Sequence, residues 1–124
     1  MQGATTDALR SLEVALDAPR RTGVALGNWR WAVRQRLVEV RDALVTESMS
    51  TDETWLAARG GTALRERSAL LTRLRSFGQS VLDTPDPEVV RRDVRRLVVD
   101  VSHHVQRVHD LAYDSVEVEF GGEN

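Results

Sequence analysis

The sequence predicts an all-α, up-down-up-down four-helix bundle with a short first helix and an extended C-terminal tail. The first observation is an apolar seam in residues 88–113 whose spacing alternates between four and three. Its members are Val90, Val94, Leu97, Val101, His104, Val108 and Leu111. The second is that three further segments have apolar residues at helical spacing, separated by proline, glycine or turn-forming residues. The third is a length of 124 residues, which predicts a single helical-bundle domain over residues 1–124.

Stripes of apolar residues predict the first two helices. Residues 5–18 form the first, and Pro19 ends it because the residue before a proline is pushed out of the α region. Residues 24–47 form the second, and the weak pair Gly27-Asn28 allows its regular part to begin only at Trp29. The core stripes are Leu9, Leu12 and Leu16 in the first helix and Leu26, Trp29, Val33, Leu37, Val40 and Leu44 in the second.

The second helix has another apolar line, formed by Trp31, Val38 and Val45. These residues repeat every seven positions and lie roughly 140° from the core stripe. An exposed tryptophan lowers solubility unless it is covered, so we interpret this line as a candidate interface of a homodimer. The alternative is that the C-terminal tail, or a turn that contains Trp55, covers it within one chain.

The third helix is predicted over residues 63–82, with Thr62 as its cap. A capping box at 50–53 starts a short turn before it, and Gly60-Gly61 ends that turn. Residues 83–87 form a loop. The predicted core stripe is Leu64, Leu71, Leu74, Val81 and Leu82.

Residues 113–124 are predicted to form an extended acidic tail. Val116, Val118 and Phe120 alternate with acidic residues, which is the period of a strand. A strand in a helical protein lies in a groove, pairs with its copy in a dimer, or is disordered.

Two polar residues interrupt the helical stripes. His104 occupies a seam position, where a hydrogen bond to Asp100 would satisfy it; the alternative is a pH-sensitive packing residue. Arg67 needs a carboxylate partner unless its charged end reaches solvent along its methylenes. The carboxylate candidates are Glu47, Glu13, Asp93 and Asp100. The candidate internal polar site, for an anion or small ligand, comprises Arg67, His104, Asp100 and Glu47.

Composition and motifs argue against several classes of function. The chain has no cysteine, so thiolate chemistry is excluded. A formal charge of −2 gives no general attraction to nucleic acid or anionic membranes, and no apolar run approaches the ~18 residues of a membrane span. The start resembles no signal peptide, so we expect a cytoplasmic location. Serine-nucleophile patterns, glycine-rich phosphate loops and paired-carboxylate motifs are absent, so we expect no enzyme and no cofactor.

The histidines do not form a metal site on the helical wheel. His104 lies about 60° from the seam centre, His109 about 80° to the other side and His103 on the back. Residues 1–102 contain no histidine that could complete a site. We therefore expect no bound metal.

The C-terminal half resembles small actinobacterial hemerythrin-like proteins. The resemblance is carried by LRERSALL at 64–71, the proline-containing loop, HVQRVHDLAY at 104–113 and the ending Gly121-Gly122-Glu123. It covers roughly residues 62–123 and implies a four-helix bundle. Hemerythrin-like proteins hold a di-iron centre with histidines and carboxylates from all four helices. This chain has Ser68 where related chains carry a histidine, so the resemblance implies that the metal ligands are lost.

These observations predict a non-enzymatic interaction or regulatory protein that forms a homodimer, with a further protein partner as an open possibility. The alternative is a hemerythrin-like metal or small-ligand sensor that uses residual polar groups inside the bundle.

Overall fold

The computed structural model describes residues 3–18, 23–50 and 61–122. Within these ranges the chain forms four helices and no strand: α1 (Ala4–Asp17), α2 (Val24–Ser50), α3 (Gly61–Asp83) and α4 (Pro87–Gly122). Each helix packs against the next, and α4 packs back against α1. The predicted all-α four-helix bundle is confirmed.

Contacts near the helix ends define the up-down-up-down topology. Each joins the first part of one helix to the end of its neighbour; the pairs are Thr5–Glu47, Arg30–Thr84 and Arg91–Asp17. Residues 84–86 form the short link between α3 and α4, which makes these two helices antiparallel neighbours. No helix in the described part of the chain is long and apolar enough to cross a membrane.

The hydrophobic core follows the predicted stripes of α1, α2 and α4. It consists of Leu9, Leu12, Leu16, Trp29, Val33, Leu37, Val40, Leu44, Leu70, Leu74, Val81, Val90, Val94, Leu97, Val98 and Val101. In α3 the buried side is rotated from the prediction: Leu70 is buried, Leu64 and Leu71 are half-buried, and Leu82 is 37% exposed. Leu74 and Val81 of the predicted stripe are buried, so the buried side of α3 runs along Leu70, Leu74 and Val81.

The predicted start of the second helix at residue 24 is confirmed, and two other helix ends differ from the sequence prediction. The backbone is helical through Gly27, whose N–H donates to the Gly23 carbonyl at 3.1 Å. Thr62 lies inside α3 instead of capping it, and its hydroxyl accepts a bond from Arg65. The extended tail is wrong for residues 114–122, because α4 continues to Gly122. A lone strand leaves its backbone groups unpaired, whereas a continuing helix pairs each N–H four residues back. The turn around Trp55 lies outside the described residues.

The first turn of α1 is capped by a side chain of α2. Glu47 accepts the Thr5 N–H at 2.9 Å and the Thr5 hydroxyl at 2.8 Å. Gly3 occupies the N-cap position, where a Cβ would lie 2.4 Å from a Glu47 carboxylate oxygen. Glycine therefore leaves room for a cap that another helix supplies.

The C-terminal end of α3 is held by Arg30 of α2. Its guanidinium donates to the carbonyls of Val81 at 2.7 Å, Thr84 at 2.6 Å and Pro85 at 2.9 Å. Carbonyls at the end of a helix lack partners in the helix and carry the negative end of its dipole. One arginine thus satisfies several carbonyls and fixes the level of α2 against α3, by which we mean the position of α2 along its axis relative to α3.

We expect Arg30→Met to lower the free energy of unfolding by about 2 kcal/mol, because it keeps the methylenes but removes every donor to these carbonyls. Urea unfolding at constant m-value measures the effect. Arg36→Met is the matched control, since Arg36 forms an exposed pair with Glu39 on the same helix and should cost no more than about 0.5 kcal/mol. Equal losses in the two variants would contradict the role of Arg30.

Candidate functional site

The most buried polar group in the second half of the bundle is His104 of α4, which is 2% exposed. Its Nδ1 lies 2.6 Å from an oxygen of Glu66 on α3. Arg107, one turn further along α4, donates from Nε to the same oxygen at 3.1 Å and from a terminal nitrogen to the other oxygen. Because an ionised carboxylate only accepts, the histidine Nδ1 is the donor in this contact. The three side chains connect α3 to α4 through one carboxylate.

Glu66 has a lowered pKa, and two opposing effects produce it. Partial burial raises the pKa of this carboxyl, while the hydrogen bonds from Arg107 and His104, together with their charges, lower it. The net result is a pKa below the ordinary value of 4.5, so Glu66 is ionised at neutral pH. The group is therefore a permanent acceptor that orients the His104 ring.

The four residues of the predicted internal polar site do not share one set of contacts. Asp100 accepts from Arg73 at 2.8 Å, so the predicted bond from His104 to Asp100 is wrong. Glu47 bonds Thr5 at the start of α1. Arg67 is half-buried on α3. The carboxylates of Asp100 and Glu47 therefore each form a contact between helices, and they do not line a shared ligand site.

Sequence reasoning missed Glu66 and Arg107. The predicted stripe of α3 was centred near Leu71, which put Glu66 on the far side from α4. With Leu70 on the buried side, Glu66 lies only about 40° from it around the helix, and its carboxylate contacts His104 and Arg107 of α4. Arg107 carried a usable signal, since a residue three positions after His104 lies on the same face of the helix.

No group of three or more His, Cys, Asp or Glu side chains that could hold a metal ion occurs among the described residues. His103 and His109 are exposed on other sides of α4, as the helical wheel predicted. A metal centre in a helical bundle needs several ligands that converge on one point. The polar groups of the described residues form contacts between helices and do not converge in this way.

An apolar line on the surface of α2 consists of Trp31, Val38 and Val45, and we call it the outer stripe of α2. Trp31 is 57% exposed and Val45 is 38% exposed, while Val38 is half-buried. The guanidinium carbon of Arg34 lies 5.2 Å from the centre of the Trp31 ring, in a cation–π arrangement. Within the described residues, the indole therefore has a charged neighbour from its own helix but remains open to solvent.

An open groove lies beside Val45, between α2 and α3. Its volume is about 430 Å³, and its lining residues are Arg41, Asp42, Val45, Thr46, Leu71 and Arg75. On α3, Gly78 and Leu82 follow Leu71 and Arg75 at intervals of seven, so the same face continues toward the end of the helix. We call this groove the α2/α3 groove.

Comparison of the chain with family models, curated proteins and solved structures finds no match. The resemblance to hemerythrin-like proteins therefore stays a prediction.

We expect Glu66→Gln to flatten the acid limb of the stability curve. A carboxyl with a lowered folded-state pKa adds stability above its unfolded value of about 4.5, and this stability is lost as the pH falls through the folded-state value. The difference in unfolding free energy between wild type and variant should be largest near neutral pH and shrink below pH 4.5. Glu39→Gln, at an exposed pair on α2, is the control; a difference that stays constant with pH would contradict this role of Glu66.

Proposed function

We propose that the protein is a non-enzymatic interaction or regulatory protein that acts as a homodimer through the outer stripe of α2. The observation that carries this proposal is the difference in exposure between two tryptophans that lie two residues apart on α2. Trp29 is buried to 4% exposure in the core, whereas Trp31 is 57% exposed. Tryptophan is enriched at the centres of protein interfaces, where it contributes more binding energy than most residues.

The apolar surface extends from α2 onto α3, which supports a two-helix interface. Arg30 bonds the carbonyls of Val81 and Thr84, so its neighbour Trp31 lies at the level of Leu82. Leu82 is 37% exposed, although leucine at that level of the bundle could have been buried. A face built from two rigid helices keeps its shape on binding, which reduces the entropy cost of association.

A second copy is the occupant that the stripe fits best. None of the described segments of the same chain covers Trp31, since its exposure is measured with all of them present. A two-fold dimer uses the same patch on both partners and closes, so it hides the apolar stripe without leading to open-ended assembly.

The alternative function, a metal or small-ligand sensor, would need free polar groups inside the bundle. Glu66, Glu47 and Asp100 are each engaged by a partner on another helix. We expect protein purified without chelator to contain well below one equivalent of iron, manganese or zinc by elemental analysis. Stoichiometric metal would overturn the proposed function in favour of the sensor.

The dimer is tested by analytical ultracentrifugation of the wild type and Trp31→Glu. We expect a dimer for the wild type and an association roughly 100-fold weaker for the variant, because it loses an interface tryptophan and introduces a carboxylate that association would have to desolvate. Val14→Glu is the matched control, since Val14 is 69% exposed on α1, away from the stripe, and should leave the dimer intact. A monomeric wild type, or an unchanged Trp31→Glu dimer, would refute this interface.

A further inference from the structure

We infer that Trp31 of each copy enters the α2/α3 groove of the other copy, in an antiparallel dimer whose two-fold axis passes beside Val38. This inference rests on the proposed function and adds to it the orientation of the two chains and the site that receives the indole. Two features of one surface support it. The chain presents a protruding tryptophan at one end of the stripe and an open groove at the other.

The spacing of the stripe makes this surface self-complementary. Trp31 and Val45 each lie seven residues from Val38, or about 10 Å along the helix axis. An antiparallel two-fold axis at Val38 therefore places Trp31 of one copy opposite Val45 of the other, and does so twice. A parallel dimer would place Trp31 against Trp31 and leave the groove beside Val45 unfilled in both chains.

The groove has the size and chemistry that an indole requires. Its volume is about 430 Å³, and Val45 and Leu71 provide apolar walls. A buried tryptophan also needs an acceptor for its ring N–H. Asp42 supplies one, because Arg41 binds only one of its carboxylate oxygens. The guanidinium of Arg75 lies on the α3 side of the same groove and can pack on the face of the ring.

The orientation is tested with one spin label per chain. The protein has no cysteine, so Ala25→Cys provides a single labelling site at an exposed position thirteen residues before Val38. In the antiparallel dimer the two labels are separated by about 40 Å along the helix axes. In a parallel dimer the two labels lie at the same position along the helix axes, so this axial separation of about 40 Å is absent and the measured distance is clearly shorter. Pulsed electron paramagnetic resonance measures this distance in the full-length protein.

The entry of the indole is tested by filling the groove. We expect Thr46→Trp to weaken dimerisation about tenfold or more, because its own indole occupies the space that Trp31 of the second copy needs. Thr72→Trp adds an indole at an exposed position of α3 outside the groove and should have no such effect. Both variants replace exposed threonines, so we expect both to fold. Circular dichroism verifies that each variant is folded.

The outcomes separate the two proposals. A long label distance together with a weakened Thr46→Trp dimer supports the inference. A dimer with a short label distance, or one that Thr46→Trp leaves unchanged, overturns the inference while the proposed homodimer stands. A chain that stays monomeric overturns the proposed function and the inference together.

Discussion

The contact of Arg30 with the end of α3 is the constraint on which the surface geometry of this bundle depends. Core leucines and valines hold helices together, but apolar packing alone tolerates small sliding motions along the helix axes. The three carbonyls that Arg30 binds are fixed in space, so α2 has one level against α3. Because Arg30 contacts Val81 and Thr84, that position places the neighbouring Trp31 near Leu82 along the helix axes. The face proposed for dimerisation is therefore a consequence of a polar contact at its edge.

Several polar groups in this bundle connect one helix to another. Glu47 caps α1 from α2, and Glu66 joins His104 and Arg107 of α4 to α3. Such contacts add specificity to the packing, because a shifted helix would leave a partly buried carboxylate or imidazole without its partner. His104 fills a seam position and forms a hydrogen bond through its Nδ1 with Glu66 across the helix interface.

The sequence was sufficient for the fold but only partly for the site. Helical spacing identified most of the buried side of α4, including His104, but missed the buried Val98. On α3 it identified Leu74 and Val81 but centred the stripe toward Leu64 and Leu71, whereas the other buried leucine is Leu70. That rotation moved Glu66 out of consideration and left Asp100 as the apparent partner of His104. Long-range contacts such as Thr5–Glu47 join residues with no shared pattern, so no local rule could pair them.

The position of Trp31 also bears on why the chain would form a closed pair instead of larger aggregates. A tryptophan that protrudes with no matching groove would associate with any apolar surface. Here the groove lies on the same face, at a distance set by two heptads of one rigid helix. In the proposed dimer, each chain that provides an indole also receives one, so a single encounter would satisfy both sites and leave no exposed stripe for a third chain. Such an interface would be sensitive to the position of α2 along α3, because a shift of one helical turn would move the α3 wall of the groove by about 5 Å relative to the indole. The proposed dimer thus requires the same helix alignment that the Arg30 contact stabilises within one chain.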